Sequence, residues 1–351
     1  MGTRVSVILC THNPRPEYLS RVLASLRAQT LPAEQWEFLL VDNACRQPLA
    51  ETWDISWHSC GRHFREEELG LTPARLHGIR ESSGDLLVFV DDDNVLAPDF
   101  LEQATAISAR CPVLGVFGAG ILRPEFDIQP PRELCPFLGL LALRNAPSAL
   151  WSNNVRDAQS IPWGAGLCVT RCVANFYQEF VEDLGITAVL DRRGERLFSG
   201  GDDVFSRVAA KVDLSFGVFP ELRITHLISA VRLHQRYLLR LIHDHALSHR
   251  VLDYVLDGIQ PEQIKLVRYV HLLLHAMKNG LFSMRCQLAK SRGEEGAAQF
   301  ISGNRLKPHG SGQSVDDRKP RNVVPFRPPA APVIPILQGG ITRVRGKRKD
   351  Q

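Results

Sequence analysis

Residues 86–96 have the sequence LLVFVDDDNVL, and this stretch decides how the rest of the chain is interpreted. Its first five residues are all apolar, which is typical of a strand covered on both faces. The strand leads directly into Asp91, Asp92 and Asp93, and adjacent carboxylates raise one another's pKa unless a positive charge offsets them. The sequence therefore predicts a cation opposite these three acids.

Strands and helices alternate through the first hundred residues. Apolar segments at 5–10 and 37–42 predict two further strands, and residues 16–29 and 71–82 predict helices between the strands. This order indicates an α/β fold, in which a mostly parallel sheet is covered by flanking helices. Ligands bind beyond the carboxyl ends of such strands, so we expect one edge of the sheet to gather Thr11, Asn13, Asp42 and the three acids.

The rest of the chain divides into three predicted parts. Residues 1–230 form the α/β domain, with a strand at 113–122, an irregular Pro-rich segment at 123–160, a helix opening at the glycines of SGGDDVFSRVAAKV (199–212), and short strands up to His226. Residues 231–302 have the pattern of amphipathic helices. Residues 303–351 are basic and Pro-rich and are predicted to be a disordered tail.

Three carboxylates at the end of a rigid strand are suited to binding a hard divalent cation. Mg²⁺ or Mn²⁺ would be held through carboxylate oxygens, and the cation would in turn bridge the phosphate oxygens of a substrate. The alternative is an acidic turn on the surface. The buried strand that precedes the acids favours the metal.

Several motifs resemble the family 2 glycosyltransferases, which have the GT-A fold. They occur in the family's order over about residues 4–230, as VSVILCTHN (5–13), LLVDNA (39–44), LGLTPARLHGI (69–79), SSGDLLVFVDDDN (82–94), GGDDVF (200–205) and TH (225–226). The resemblance implies a Rossmann-like mixed sheet, a nucleotide-sugar donor with a UDP-sugar favoured, and inverting hexosyl transfer to a saccharide or a lipid-linked acceptor. The expected setting is the biosynthesis of surface or secreted glycans.

The resemblance also implies roles for the acidic residues. Asp91 and Asp93 correspond to the family's metal-binding DxD motif, and His226 lies where some members have an additional metal ligand. Asp203 corresponds to the catalytic base, which removes the acceptor's proton on the face opposite the leaving group. In this chain the family's Glu-Asp pair is Asp-Asp, and either acid could instead only stabilise the start of a helix.

Other residues are expected to contact the two substrates. By resemblance, the donor is bound by Thr11, Asn13, Asp42, Arg75 and Asp92. Two stretches depart from the family pattern. The family usually has a second acid, glycine or serine after Asp42, where this chain has DNAC, and its usual A-R-N-x-G is ARLHG here, with Leu76 in place of the Asn. Arg75 could equally be a surface charge.

The acceptor is assigned to Trp163 and Asp202, because an indole ring packs well against the C–H face of a sugar. Trp163 could equally be a core residue.

The charge distribution allows two interpretations of the C-terminal parts. The net charge is +4, yet residues 303–351 contain 11 Lys/Arg against 3 Asp/Glu. Amphipathic helices followed by a basic tail are compatible with peripheral contact at the inner face of a membrane, and equally with packing on the domain or in a homodimer. The eight cysteines lack CxxC spacing and a secretory signal does not precede them, which indicates a cytoplasmic protein with reduced thiols. We expect no nucleic-acid partner.

Two other classes of function compete with glycosyl transfer. Gly-Asp-Asp also occurs in polymerase palms, but there it lies in a hairpin, whereas residues 201–211 predict a helix. A non-catalytic nucleotide-sugar-binding scaffold is the other alternative, and retention of all the expected acids argues against it. The pairs His245/His249 and His271/His275 have i, i+4 spacing, but without a nearby Glu we predict structural or solvated histidines rather than zinc ligands.

Overall fold

We describe a computed structural model, in which residues 4–184, 200–261, 280–304 and 306–308 are described. The strands are β1 Val5–Thr11, β2 Trp36–Asn43, β3 Gly61–Glu66, β4 Leu86–Val90, β5 Asn94–Leu96, β6 Leu114–Phe126, β7 Arg144–Asn145, β8 Leu150–Ser152, β9 Leu167–Thr170 and β10 Ser215–Ile228. The α-helices are α1 Pro16–Arg27, α2 Leu49–Thr52, α3 Leu71–Glu81, α4 Phe100–Arg110, α5 Arg171–Leu184, α6 Gly201–Lys211, α7 Gln235–Asp257 and α8 Leu281–Gly303.

These strands form one mixed sheet in the order β3-β2-β1-β4-β9-β6-β10-β5, with β7 beside β6 and β8 beside β10. The pairs β3/β2, β2/β1, β1/β4 and β6/β10 are parallel. Strand β9 is antiparallel to both β4 and β6, and β5 is antiparallel to β10. The predicted α/β class is confirmed, and the antiparallel β9 brings the loop before it back to the carboxyl end of β4.

Both faces of the sheet are covered because its central strands are apolar on both sides. In β1, Val5, Val7 and Leu9 pack in a cluster with α1 and α4, while Ile8 and Cys10 pack in a cluster with α3, α5 and α6. Burying one aliphatic side chain of this size contributes about 1.5–3 kcal/mol, so the two layers hold the strand ends in place.

The C-terminal helices pack on the α/β domain. Apolar residues of α7 and α8, including Val251, Leu252, Ala297 and Ile301, join the same cluster as α3, α5 and α6. The helical prediction for 231–302 therefore corresponds to α7 and α8, whereas residues 262–279, with His271 and His275, lie outside the described residues, as does nearly all of the predicted tail. Among the described helices we find none with the length and apolar character to cross a membrane.

Two local predictions need correction, and a third is confirmed. The short strands expected before His226 are one 14-residue strand, β10, with a register shift between Phe219 and Arg223. The irregular segment 123–160 contains a 3₁₀ helix at Arg132–Leu141 and the short strands β7 and β8. Residues 201–211 form a helix as predicted, so the Gly-Asp-Asp segment is not the hairpin of a polymerase palm.

Candidate active site

A cavity of about 1150 Å³ opens at the carboxyl ends of β1 and β4. One part of its wall comes from these strand ends, with Thr11 and Asp91–Asp93, and another from the loop before β9 and the start of α6. The far wall is formed by α7 and α8. The topology thus brings together residues that are more than 200 positions apart in sequence, as expected for this edge of the sheet.

Asp91 faces a buried arginine. Arg75 is 2% exposed, and its guanidinium lies 3.8 Å from Asp91 and 3.3 Å from Asp202. Burial alone opposes a charge on Arg75, but Asp202 and Asp91 outweigh it and raise the pKa of the guanidinium. Arg75 is therefore a fixed cation at the cavity wall and not a surface charge of its helix.

Asp93 has a second arginine beside it. Arg232, from the 3₁₀ turn Ala230–Leu233, places Nη2 2.9 Å from Asp93 Oδ2 and Nη1 2.9 Å from His226 Nε2. His226 Nε2 is itself 3.5 Å from the same Asp93 oxygen, and Asn94 donates a 2.8 Å hydrogen bond to Asp93. In this structure the positive charge opposite the three acids is thus supplied by two arginines.

Asp92 accepts a hydrogen bond from the hydroxyl of Thr11. Burial, with the nearby charge of Asp93, raises the pKa of Asp92 to about 6. The pKa of Asp91 is also raised, chiefly by burial, although Arg75 opposes the rise. The ionised forms of Asp91 and Asp92 are therefore destabilised, and a bound cation would stabilise them.

Two of the predicted donor-binding residues are engaged elsewhere. The carboxylate of Asp42 accepts hydrogen bonds from the backbone N–H groups of Cys45 and Leu49 and pairs with Arg65. The Asn13 side chain accepts a hydrogen bond from the N–H of Arg46. Neither Asp42 nor Asn13 is among the described residues that line the cavity, whereas Thr11, Arg75 and Asp92 are.

The two predicted acceptor residues both line the cavity. The guanidinium of Arg144 lies 4.1 Å from the centre of the Trp163 ring, which is only partly buried. Asp202 accepts a 2.8 Å hydrogen bond from the N–H of Gly164, next to Trp163, in addition to its contact with Arg75. Asp202 therefore joins the Trp163 loop to the buried arginine.

The predicted base, Asp203, points toward α7. Its Oδ2 lies 3.6 Å from His249 Nδ1, and His249 Nε2 lies 3.2 Å from His245 Nε2. Burial raises the pKa of Asp203, and His249 opposes that rise. Among the described residues that line the cavity we find both histidines but not Asp203.

The metal prediction has support from the residue types but not from a closed ligand cluster. In the ranges described, no three His, Cys, Asp or Glu side chains converge in a way that could hold a metal ion. Asp91 and Asp93 nevertheless offer carboxylate oxygens, which fit Mn²⁺ or Mg²⁺. His226 faces Asp93 with Nε2, which Arg232 contacts, whereas the buried Nδ1 of His226 has no hydrogen-bond partner in the described part of the chain. For Asp93 and His226 to share an ion, Arg232 must withdraw from between them.

A family model matches the N-terminal part of the chain. Residues 6–131 match the model described as Glycosyl transferase family 2, in agreement with the resemblance of the motifs. The mixed sheet with helices on both faces fits a GT-A-like α/β fold.

Two relatives match part of the chain. An N-acetylglucosaminyltransferase of Sinorhizobium fredii is 32% identical over 116 residues, covering 32% of this chain and 27% of that protein. Glycosyltransferase AglE of Haloferax volcanii is 30% identical over 105 residues, covering 29% of this chain and 34% of that protein. The match thus spans about a third or less of each relative's length.

Among solved structures, the chain is similar to the mannosyltransferase PcManGT from Pyrobaculum calidifontis in complex with GDP-Man and Mn²⁺. The identity is 17%, the TM-score is 0.49, and the match covers 86% of this chain and 76% of that one. A likeness of this size is too weak to assign a ligand.

Sequence reasoning missed Arg232, His245 and His249 as cavity residues. Arg232 follows His226 by six positions and carried no motif, and the two histidines were interpreted as structural or solvated. Their i, i+4 spacing was the available signal, because it places both rings on one face of α7. Only the packing of α7 against the start of α6 shows which face that is.

Proposed function

We propose that the chain is an inverting glycosyltransferase that moves a sugar from a nucleoside diphosphate donor, most simply a UDP-sugar, to a hydroxyl of a saccharide or a lipid-linked acceptor. The observation that carries this proposal is the convergence of Asp91–Asp93, Arg75 and Arg232 in one cavity of a family 2 domain. The two relatives, an N-acetylglucosaminyltransferase and a glycosyltransferase, agree with it.

The donor's diphosphate fits the cations at the acidic end of the cavity. Arg75 is buried and held by two carboxylates, so its position is set before a ligand arrives. Arg232 is held by Asp93 and His226, and its side chain is 26% exposed, so it can turn toward a phosphate. Thr11 and Asp92 lie at the same strand ends, where the nucleotide would bind.

A divalent ion completes the donor site in this proposal. Asp91 and Asp93, with His226, would hold Mn²⁺ or Mg²⁺, and when bound the ion would neutralise charge on the departing diphosphate. The neighbouring arginines bind and orient the same group. Because Asp92 and Asp91 have raised pKa values, ion binding is expected to release protons and to be weaker in acid.

Inversion requires one displacement at the anomeric carbon, with the acceptor on the side opposite the diphosphate. Trp163 offers an apolar surface for the acceptor sugar, and Asp202 fixes the loop that carries Trp163. Asp203 is the carboxylate that we assign to removal of the acceptor's proton. Its raised pKa suits a group that must accept a proton.

The decisive experiment measures donor binding and sugar transfer separately. UDP-, GDP- and dTDP-sugars are screened for Mn²⁺-dependent hydrolysis and for transfer, first by the unaltered chain and then by Asp203→Asn. We expect the variant to bind the donor as tightly as the unaltered chain but to lose transfer. Donor binding without turnover by the unaltered chain would instead favour the non-catalytic scaffold, and full activity in excess chelator would remove the metal from the proposal.

The setting we propose is the cytoplasm, with the basic C-terminal part in contact with an anionic membrane surface that presents a lipid-linked acceptor. The positive surplus of residues 303–351 supports this setting. Sedimentation with anionic liposomes at low and high salt tests it, since electrostatic binding must weaken as salt rises. A failure to sediment at low salt rules out the membrane contact, and the sedimentation coefficient of the free protein tests for a homodimer.

A further inference from the structure

The two arginines that face the three acids are held in different ways. The side chain of Arg75 is 3% exposed and lies against the carboxylates of Asp91 and Asp202. The side chain of Arg232 is 26% exposed, and one edge of its guanidinium bridges Asp93 and His226. Arg75 is therefore a fixed part of the cavity wall, whereas Arg232 has solvent on one side.

Arg232 occupies the lone pairs that a divalent ion shared by Asp93 and His226 would need. Its Nη2 lies 2.9 Å from Asp93 Oδ2, and its Nη1 lies 2.9 Å from His226 Nε2. A guanidinium nitrogen only donates, so the contact with His226 uses the lone pair of Nε2. The carboxylate oxygen and the ring nitrogen are themselves 3.5 Å apart. A side-chain cation thus bridges an oxygen and a nitrogen ligand at the acidic end of the cavity.

The backbone that carries Arg232 is fixed on both sides. The N–H of Ala230, at the start of the 3₁₀ turn Ala230–Leu233, donates a hydrogen bond to the carboxylate of Asp127. At the other end of the turn, Leu233 is buried in an apolar cluster with residues of α7. Arginine has a long side chain with many rotamers, so the guanidinium can swing into the cavity while the turn stays in place.

We propose that Arg232 is a positioning residue that competes with the divalent ion for Asp93 and His226 and moves to the diphosphate when the donor and the ion bind. The proposal rests on the donor and ion sites of the proposed function. It adds to them a competitor for the ion that the chain itself supplies.

The exchange follows from charge. The guanidinium repels an approaching cation, and two of its hydrogen bonds must break before an ion can reach both ligands. Without a donor, Asp93 is the anion nearest to Arg232 and the ion is held weakly. A diphosphate offers the guanidinium a second anion, with oxygens spaced for a bidentate contact. Arg232 therefore couples the binding of the ion to the binding of the donor.

A purely structural bridge would behave differently from a competitor. If Arg232 only held Asp93 and His226 in place, its removal would loosen both ligands and weaken the binding of the ion as well as that of the donor. A competitor that moves to the diphosphate has opposite effects on the two affinities. The sign of each change therefore separates the two roles.

The test compares Arg232→Met with Arg236→Met in the full chain. Arg236 is exposed in the first turn of α7 and is not among the described lining residues, so its replacement removes the same charge outside the site. Free Mn²⁺ is measured by its electron paramagnetic resonance signal, without nucleotide. We expect Arg232→Met to bind Mn²⁺ about tenfold or more tightly than the unaltered chain, because no charged hydrogen bonds have to be displaced, and Arg236→Met to bind it as the unaltered chain does.

Calorimetry with UDP at saturating Mn²⁺ gives the second affinity. Arg232→Met should bind UDP about tenfold more weakly than the unaltered chain, since one charged contact with the diphosphate is lost, whereas Arg236→Met should bind UDP normally.

Chemical complementation provides an independent measurement. Arg232→Ala leaves a gap between Asp93, His226 and the cavity, so millimolar guanidinium chloride should weaken Mn²⁺ binding by this variant. The same concentration of sodium chloride should not, and neither salt should change Mn²⁺ binding by the unaltered chain.

Equal Mn²⁺ affinity in Arg232→Met and the unaltered chain, or weaker binding of both Mn²⁺ and UDP by the variant, would overturn the proposal and leave the proposed glycosyl transfer in place. Unchanged UDP affinity in Arg232→Met would overturn the move to the diphosphate. Absence of Mn²⁺ binding by every protein tested, with or without UDP, would remove the ion from the proposed function and the exchange with it. If the unaltered chain fails to bind UDP, the proposed donor is wrong, and the nucleotide-free Mn²⁺ measurement still decides whether Arg232 competes.

Discussion

Neutralising Asp92 should make the folded protein more stable at neutral pH. The carboxylate is packed between Asp91 and Asp93, and burial followed by the charge of Asp93 raises its pKa from 3.8 to about 6. At about pH 7.5 the carboxylate of Asp92 is therefore ionised in an environment that destabilises its charge. In Asp92→Asn the amide oxygen can still accept the hydrogen bond from Thr11, so the substitution removes the charge and little else.

The size and sign of the effect follow from proton linkage. A folded-state pKa above the unfolded value contributes stability that is complete below about pH 3.8 and is lost as the pH rises to about 6. One pKa unit corresponds to about 1.36 kcal/mol, so the ionised carboxylate costs about 3 kcal/mol at neutral pH. Asp92→Asn should recover about 3 kcal/mol at about pH 7.5 and about half of that at about pH 5.

The assay is urea unfolding at several pH values with divalent ions chelated. Asp54→Asn is the matched control, because the N–H of Ser56 lowers the pKa of the exposed Asp54 carboxylate, and neutralising it should bring no gain at neutral pH. If Asp92→Asn is no more stable than the unaltered chain at neutral pH, or if its gain does not shrink in acid, the electrostatic account of the three acids is wrong.

Three further substitutions probe the same region. Arg75→Met should lower the free energy of unfolding in the same urea assay by about 3–5 kcal/mol, because two carboxylates lose their buried cation. The control is Arg80→Met, on the exposed side of the same helix, which should change the free energy of unfolding little. Gly164→Ala places a methyl group 2.8 Å from Nη2 of Arg75, so the guanidinium must shift. Calorimetry should find that nucleoside diphosphate binding is about tenfold weaker, which corresponds to about 1.4 kcal/mol. Unchanged affinity would contradict the role of Arg75 in binding the diphosphate. Gly78→Ala brings its methyl group into a clash with Cγ2 of Ile8 and should lower the unfolding free energy by about 1–3 kcal/mol, since the buried contact between α3 and β1 has no spare room.

Much of the fold could be predicted because local patterns in the chain agree with its tertiary structure. The apolar runs at 5–10, 37–42 and 86–90 could only be two-sided strands, and they are β1, β2 and β4. The Pro-rich segment at 123–160 could not be predicted, because its structure depends on tertiary contacts rather than on periodicity. Strands β7 and β8 pair with β6 and β10, and the 3₁₀ helix packs against α7. The single long β10 was missed because its register shift interrupts the pattern.

The candidate site was predictable where residues follow a strand directly. Thr11 is the last residue of β1, and Asp91–Asp93 directly follow β4. Because β1 and β4 are parallel neighbours, these residues must lie at the same edge of the sheet. Asp42 also ends a strand, yet its carboxylate turns to the backbone of residues 45–49, a local hydrogen-bonding choice that strand position does not reveal.

The sequence by itself determined the sheet edge at which the three acids lie and the kind of chemistry that so much negative charge can support. It did so because alternation of strands and helices, and the charge of a side chain, are local properties. Only the tertiary structure decided which cations meet those acids and which side chain lies next to the carboxylate of Asp203. Arg75, Arg232 and His249 come from three separate elements, and their distances to the acids depend on how the helices pack on the sheet. That packing is set by the summed burial of many apolar side chains and not by any short motif.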